Sequence, residues 1–362
     1  MIYRWLYPFA KDLAVLNVVR YITFRTAAAA VTALLLSLLL GPPMIRMLKR
    51  RLVGQSIREE GPRSHLSKAG TPTMGGLLIL LAVIVATLLW MDLSNRFVWI
   101  ALGILVALGL VGFADDYTKV ARKRSLGLTS RGKLLPQFLV AFGAAWAIQQ
   151  WAGHGAVSTV IAFPFLKKLV VDLGVLLYIP FVATVLVGSS NAVNFTDGLD
   201  GLAIGSVGIA AGTYAILTYL AGNAVAARYL QIPFVPQSGE LAVFCGALAG
   251  ASLGFLWFNC HPAEIFMGDV GSLPLGGAIG AVAVMTKQEM LLVIVGGLFV
   301  IETLSVIIQV VSFKTTGRRV FKMAPLHHHF ELAGWAESRV IIRFWILAVL
   351  FSVLGLSTLK LR

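Results

Sequence analysis

Three short clusters of acidic and amide residues stand out in this chain, each next to a long apolar stretch. In the first cluster, FADDYTK, Asp115 and Asp116 are adjacent, and Lys119 follows one helical turn later. Adjacent residues on a helix point about 100° apart, so both carboxylates reach one site only at a helix end. There they could share a cation or its ligands, although a solvated pair of acids is the simpler structural alternative.

The second cluster, NAVNFTDGLDGL, repeats a polar residue at every third position and contains no lysine or arginine. Its polar side chains belong to Asn191, Asn194, Asp197 and Asp200. On a helix, this spacing makes one slowly drifting polar stripe. Carboxylates beside membrane-embedded apolar residues require an external cation or hydrogen-bond donors, so the stripe predicts a ligand site.

The third cluster, NCHPAEIFMGDVGS, again lacks a basic residue. Its polar side chains belong to Asn259, His261, Glu264 and Asp269. Glycines and a serine surround Asp269 where an apolar helix begins, so backbone N–H groups are available there to an anion. Although Asp269 could simply cap its own helix, a divalent cation that bridges it to a phosphate also explains the pattern. Oxygen ligands completed by substrate phosphates favour Mg²⁺, which we predict as the cofactor.

Two further motifs carry weaker signals. The stretch GLTSRGK nearly matches a phosphate-binding loop, but Leu134 replaces the metal-binding hydroxyl, so only Arg131 and Lys133 are predicted phosphate contacts. Three consecutive histidines, from His327 to His329, cannot converge on one ion from a helix. We therefore expect them to contact phosphate or sugar rather than zinc.

The apolar stretches that position these clusters run along the whole chain. Of 362 residues, 58% are hydrophobic and only 13% are charged, which excludes a water-soluble domain and intrinsic disorder. Ten stretches approach the ~20 residues of a membrane-spanning helix: approximately 22–40, 74–91, 97–114, 134–151, 169–188, 201–221, 240–258, 270–285, 290–312 and 340–359. We predict an all-α, polytopic membrane protein with about ten transmembrane helices in one domain over 1–362. Glu302, inside the ninth stretch, is expected to have a buried hydrogen-bonding partner.

The basic residues predict which side of the membrane the polar clusters face. Most lysines and arginines lie in the first, third and ninth loops, at 41–73, 115–133 and 314–339. Because basic loops stay in the cytoplasm, we expect the clusters on the cytoplasmic side and both termini in the periplasm. Arg25 and three other basic residues near the amino terminus oppose this orientation. The formal net charge of +14 indicates contact with anionic membrane lipids rather than with nucleic acid.

Pairs of glycines four residues apart recur in the apolar stretches, as at Gly250 and Gly254 and at Gly276 and Gly280. Such pairs allow helix backbones to approach closely. We expect this packing inside one bundle, with the face of a homodimer as the alternative.

Five motifs in one order resemble those of a known family. FADDYTK, NAVNFTDGLDGL, NCHPAEIFMGDVGS and PLHHHFE, preceded by HLSKAGTPTMGG, resemble the signature loops of the polyprenyl-phosphate N-acetylhexosamine-1-phosphate transferase superfamily. The PLHHHFE loop resembles its phospho-N-acetylmuramoyl-pentapeptide transferase branch. The resemblance covers essentially the whole chain and implies a Mg²⁺-dependent enzyme of the bacterial cytoplasmic membrane. It implies transfer of phospho-MurNAc-pentapeptide from UDP-MurNAc-pentapeptide to undecaprenyl phosphate, giving lipid I and UMP in the first membrane step of peptidoglycan synthesis.

The resemblance also implies roles for individual residues. Asp269 and Asp116 would hold the metal, and Asp115 or Asp116 would deprotonate the lipid phosphate or act as a nucleophile. The implied catalytic residues are Asp115, Asp116, Asn194, Asp197, Asp269, His328 and His329. The implied substrate-binding residues are Lys68, Lys119, Lys133, Asn191, Asp200, Asn259, Phe266 and His327. The Phe266 ring would offer a face on which uracil can stack.

Alternative functions and mechanisms remain open. A sister transferase that uses UDP-N-acetylglucosamine would share the aspartates and Mg²⁺, but the PLHHHFE loop favours the muramoyl-pentapeptide branch. A cation-coupled transporter would place its carboxylates near the bilayer midplane rather than at helix ends on one side. For the transferase, our hypothesis is direct attack by the lipid phosphate with Asp115 as base, and a two-step route through an aspartyl phosphate competes with it.

Overall fold

The computed structural model describes residues 14–50, 70–122, 127–152, 159–166 and 169–360, together with Ile2, Trp5 and Phe9. Within these ranges nearly all regular structure is helical. The α-helices are α1 (Ile22–Arg50), α2 (Gly76–Trp90), α3 (Arg96–Ala121), α4 (Ser130–Ala147), α5 (Gly174–Thr196), α6 (Leu202–Ala221), α7 (Ala224–Leu230), α8 (Leu241–Asn259), α9 (Asp269–Met285), α10 (Glu289–Val295), α11 (Gly297–Thr316), α12 (Leu326–Leu332) and α13 (Glu337–Ser357). Two short strands, β1 (Val160–Ala162) and β2 (Val170–Asp172), pair antiparallel.

The all-α membrane fold predicted from the sequence is confirmed. Among the described helices, seven are long and apolar enough to cross a membrane, and α2 and α9 are shorter apolar helices. The fifth predicted stretch differs in its bounds, because its helix begins at Gly174 rather than at residue 169. Asp172 belongs to β2, and its Oδ1 accepts a hydrogen bond from the backbone N–H of Gly174 at 2.9 Å.

The ninth predicted stretch is divided rather than continuous. It forms α10 and α11, which meet at Gly296. Glycine has a low helix propensity because its backbone loses the most conformational freedom when it is ordered. Glu302 therefore belongs to the second of the two helices, α11.

The stretch GLTSRGK forms the start of α4 rather than a phosphate-binding loop. The side chain of Thr129 accepts a hydrogen bond from the backbone N–H of Gly132 at 3.2 Å. This contact is an N-cap, which satisfies a first-turn N–H group that has no acceptor within its own helix. Lys133 is thereby placed in the first turn of α4, where it faces the polar clusters.

Helix α9 lies at the centre of the bundle, and all of its residues are buried. It packs against α2, α3, α5 and α6. A Cβ atom at Gly276 would overlap the backbone of Ser189 and Ser190 in α5, and one at Gly250 would overlap the backbone of Ala30 in α1. The predicted close packing of small residues inside one bundle is therefore confirmed at these contacts.

The Arg25 side chain forms an ion pair inside the protein. Its charge was one of those that opposed the predicted membrane orientation. Both of its terminal nitrogens contact the Glu240 carboxylate at 2.6 Å, and Arg25 is only 3% exposed. Charges at this depth require such pairing because desolvation is costly. Arg25 is therefore neutralised inside the fold and contributes little to the loop charge that orients membrane proteins.

Candidate active site

Three buried carboxylates converge where α3 ends and α9 begins. Asp115 and Asp116 lie in the final two turns of α3, and Asp269 is the first residue of α9. One oxygen atom from each carboxylate lies within 4.8 Å of the other two. The three residues are 2%, 3% and 9% exposed. Three acids so close together in a buried volume require cations as neighbours.

The close approach of α3 to α9 creates this convergence. Gly112 lies one turn before the acids, and a Cβ atom there would overlap the backbone of Asp269 and Val270. The backbone N–H of Val270 donates to Asp116 Oδ2 at 3.0 Å, and that of Leu128 donates to Asp115 Oδ1 at 2.7 Å. These bonds orient the carboxylates of Asp115 and Asp116. The second oxygen of each contacts Lys119.

A Gly112→Ala substitution tests whether this helix contact is required. We expect it to lower the free energy of unfolding by ~1–3 kcal/mol, because overpacking forces the two backbones apart. Thermal unfolding in detergent measures the effect. Gly103→Ala is the matched control in the same helix, since a Cβ atom there meets nothing within 4 Å. Equal melting temperatures for the two variants would show that the close contact is dispensable.

Two lysines neutralise the carboxylates. Lys119 Nζ lies 2.6 Å from Asp115 Oδ2, 3.3 Å from Asp116 Oδ1 and 3.3 Å from Asp269 Oδ2. Lys133 Nζ lies 2.7 Å from Asp269 Oδ2. A lysine carries a compact ammonium group on a long, flexible stem. Its Nζ can therefore leave a carboxylate oxygen and bind a phosphate oxygen when a charged ligand arrives.

The polar stripe of the second cluster joins this centre through Asn194. Its Nδ2 donates to Asp269 Oδ1 at 2.8 Å and to the Ser272 hydroxyl at 2.8 Å, while its Oδ1 accepts from Lys133 Nζ at 3.0 Å. Asp197 follows at the end of α5. Partial burial, together with the nearby charges of Asp269 and Asp116, raises the pKa of Asp197 to about 8. The raised pKa favours the protonated form of Asp197, which can donate a hydrogen bond.

Asn191, the first residue of the stripe, is placed differently. Its Nδ2 donates to Gln137 Oε1 at 2.5 Å and to the backbone carbonyl of Val187 at 2.8 Å. Three-residue spacing drifts around a helix, so Asn191 packs against α4 while Asn194 reaches the carboxylates. The Gln137–Asn191 and Lys133–Asn194 bonds lie one turn apart along both helices and set their register.

A second polar group forms around Asp200 in the loop between α5 and α6. Its Oδ2 lies 3.2 Å from His261 Nδ1 and accepts from the backbone N–H of Ala263 at 3.1 Å. Its backbone N–H donates to Glu337 Oε1 at 3.2 Å. Asn259 joins the same loops, because its Oδ1 accepts from Gly201 and its Nδ2 donates to Ile265. These contacts hold the segment that leads to Phe266.

Phe266 lies in the loop that leads to Asp269, and the start of α2 fixes its backbone. The N–H of Phe266 donates to the carbonyl of Pro72 at 2.8 Å, and its carbonyl accepts from Gly75 at 2.9 Å. The Phe266 ring remains partly exposed. Lys68, a predicted member of the same pocket, lies outside the described residues.

The three histidines occupy different environments on α12. His327 is fully buried, so its ring packs inside the protein and this arrangement does not support direct substrate contact. His328 Nδ1 lies 2.8 Å from Glu331 Oε2, which identifies that nitrogen as a donor. His329 Nδ1 accepts from the backbone N–H of Lys322 at 3.1 Å.

The tautomers inferred from these contacts are opposite. A neutral His328 carries its proton on Nδ1 and leaves Nε2 as an acceptor, whereas a neutral His329 carries its proton on Nε2. Sequence reasoning missed Glu331 as a partner, although it lies three residues after His328 in PLHHHFE. Side chains at that spacing meet on one helix face, so the motif contained the signal.

The donor set is suited to a hard divalent cation. Asp115, Asp116 and Asp269 offer only carboxylate oxygens, which Mg²⁺ prefers. Asp200, His261 and Glu337 also lie within ligand distance of one another, but this group includes an imidazole nitrogen and its Asp200 carboxylate is already bonded to the loop. Among the described residues, the carboxylate triad is therefore the group better suited to a hard divalent cation.

Comparisons with known proteins agree with this geometry. Residues 98–287 match the model of glycosyl transferase family 4, and residues 68–80 match phospho-N-acetylmuramoyl-pentapeptide-transferase signature 1. Three proteins named phospho-N-acetylmuramoyl-pentapeptide-transferase align with this chain along their full lengths and its own. Those from Desulfatibacillum aliphaticivorans, Geobacter sp. (strain M21) and Koribacter versatilis (strain Ellin345) are 59%, 56% and 55% identical to it. The chain therefore belongs to the phospho-N-acetylmuramoyl-pentapeptide-transferase family.

Proposed function

We propose that this protein transfers phospho-MurNAc-pentapeptide from UDP-MurNAc-pentapeptide to undecaprenyl phosphate, giving lipid I and UMP. The observation that carries the proposal is the triad Asp115, Asp116 and Asp269 with Lys119 and Lys133 beside it. Phosphoryl transfer needs mainly positioning and charge neutralisation, and this centre supplies both. The full-length relatives support the choice of substrates.

Mg²⁺ is the cofactor in this proposal, held by Asp269 and Asp116 with Asp115 adjacent. When bound, the ion neutralises charge on the diphosphate of the nucleotide substrate. The oxygen-only donor set supports this assignment.

The lysines and Asp115 complete the proposed reaction. Lys119 and Lys133 would contact phosphate oxygens and stabilise the charge that develops on the departing UMP. The phosphate oxygen of undecaprenyl phosphate attacks the sugar-linked phosphorus, and the bond from that phosphorus to UMP breaks. With a second pKa of ~6, the lipid phosphate is already largely ionised, so Asp115 has only a small fraction of molecules to deprotonate.

The nucleotide is proposed to bind beside Phe266. Asp200 and Asn259 hold the loop that carries this ring. A partly exposed aromatic face suits stacking with uracil. Lys68 belongs to this pocket in the proposal. The opposite tautomers of His328 and His329 provide an acceptor for a sugar hydroxyl and a donor for a phosphate or sugar oxygen.

An apolar cleft supports a lipid substrate. It has a volume of about 240 Å³ and lies between α5, α9, α10 and α11. Its lining includes Ala192 and Val193, which directly precede Asn194 in α5. A polyprenyl chain in this cleft would place its phosphate near the carboxylates while its isoprene units remain in a hydrocarbon environment.

The proposal includes a location and an assembly. The catalytic loops face the cytoplasm and both termini lie in the periplasm, which the basic first, third and ninth loops support. In this proposal the protein lies in the bacterial cytoplasmic membrane as a single domain and assembles as a homodimer.

The deciding experiment is UMP release by purified protein in detergent. We expect release with Mg²⁺, UDP-MurNAc-pentapeptide and undecaprenyl phosphate together, and none when either the lipid phosphate or Mg²⁺ is omitted. UDP-N-acetylglucosamine in parallel tests the sister specificity. Release from that sugar instead would assign the protein to the other branch, and absence of release from both with folded protein would refute the transferase.

A further inference from the structure

Glu302 is a buried acid outside the carboxylate triad. It is an ionisable residue in the largely apolar helix α11, and it is fully buried. A carboxylate at this depth costs several kcal/mol unless hydrogen bonds or charges compensate it. Its partners therefore indicate why an acid is placed there.

Both oxygens of Glu302 bind the start of α12. Oε2 accepts from the backbone N–H of Leu326 at 2.7 Å, and Oε1 accepts from that of His327 at 3.2 Å. These are the first two residues of α12, and Pro325 before them provides no side-chain cap. First-turn N–H groups have no acceptor within their own helix, so Glu302 caps α12 from a different helix. Its negative charge also complements the positive end of the helix dipole.

His327 connects this cap to the catalytic side of the bundle. Its Nδ1 lies 3.3 Å from Glu302 Oε1, and its Nε2 faces Gly198, where a Cβ atom would overlap the ring. Gly198 directly follows Asp197 at the end of α5. The buried imidazole thus fills the space between Glu302 and the Asp197 turn, so the position of α12 depends on both.

We propose that Glu302 is a positioning residue for catalysis, which caps α12 and thereby fixes the helix that carries His328 and His329 against the Asp197 turn. Glu302 itself touches no substrate. The inference rests on the proposed transferase function, because His328 and His329 are assigned there to the phosphate or the sugar. An acid is required because one carboxylate accepts from two adjacent N–H groups, and a glutamine offers only one acceptor oxygen.

The test compares Glu302→Gln with Glu240→Gln. The Glu240 side chain is only 13% exposed, but it is bonded to Arg25 and has no described contact with α12. Both variants replace a largely buried carboxylate by its amide, so they share the general cost of disturbing the interior. Measured quantities are kcat, KM for UDP-MurNAc-pentapeptide, melting temperature and hydrogen exchange of the peptide that covers Leu326–Leu332.

For Glu302→Gln we expect kcat to fall by ~10–100-fold, because a small displacement of catalytic groups has effects of this size. KM should change by less than about threefold, and exchange in the α12 peptide should become faster. Glu240→Gln should leave both kcat and α12 exchange near wild type, even where its melting temperature falls.

Three outcomes would overturn the inference. One is wild-type kcat in a folded Glu302→Gln variant, and another is an equal loss of kcat in Glu240→Gln at unchanged α12 exchange. The third needs no variant: fast exchange of Leu326 and His327 in the wild-type protein would show that no cap protects them. An inactive wild-type protein would refute the proposed function instead, and the exchange comparison would still decide whether Glu302 caps α12.

Discussion

Replacing Asp269 by asparagine is expected to reduce lipid-dependent UMP release by about 1000-fold or more, on the order of 4 kcal/mol in transition-state stabilisation. The Asp269 carboxylate accepts hydrogen bonds from Lys133 at 2.7 Å and from Asn194 at 2.8 Å, and it belongs to the proposed metal site. An amide at this position removes the charge and directs N–H groups toward existing donors. The cation site and the orientation of Lys133 would therefore be lost together.

Asp172→Asn is the control for this loss. Asp172 is an exposed acid of β2 whose contacts are with Thr159 and Gly174, far along the chain from the triad. We expect wild-type UMP release from it. Titration with Mn²⁺ as a spectroscopic probe should show weakened binding only in Asp269→Asn. Wild-type turnover in Asp269→Asn would disprove the role of Asp269 in the metal site.

Replacing Lys119 by methionine should strengthen the binding of a divalent cation and yet slow turnover. Lys119 Nζ contacts all three carboxylates, so its charge competes with a divalent cation for the same oxygens. Its removal leaves a more negative cluster, and we expect the Kd for Mn²⁺ to fall by about tenfold. Turnover should nevertheless fall by about 100-fold, because the phosphate contact that stabilises developing charge is missing.

Lys314→Met is the matched control, because Lys314 is an exposed lysine in the last turn of α11. Its Mn²⁺ affinity and turnover should match the wild type. A Lys119→Met variant that binds Mn²⁺ more weakly would mean that Lys119 organises the carboxylates rather than competing with the cation. Unchanged turnover would remove Lys119 from the proposed phosphate contacts.

The sequence predicted the helices and the main polar clusters because both signals are local. Apolar stretches of nearly twenty residues define membrane-spanning helices almost regardless of their neighbours. The acids stood out for a related reason, since ionisable groups are rare in such segments and demand partners. The ninth stretch was divided by Gly296, which hydropathy alone does not detect.

Residues of the same type within one motif have different partners in the structure. Asn191 and Asn194 share one motif and one spacing, yet Asn191 bonds to Gln137 and Asn194 bonds to Asp269. His327 is buried between α11 and Gly198, while His328 and His329 have partners of their own. A regular spacing specifies a helix face, but only the neighbouring helices determine what that face meets.

Local sequence patterns were enough to predict a membrane-embedded helical bundle, its acidic motifs and the family that those motifs resemble. Two contacts became visible only in the folded bundle: Asp115 and Asp116 meet Asp269, more than 150 positions further along the chain, and Glu302 caps α12. Helix formation depends on contacts within a few residues, whereas these pairings depend on how closely whole helices pack. The close contact at Gly112 shows this dependence, because helix spacing there places the carboxylates within reach of one another.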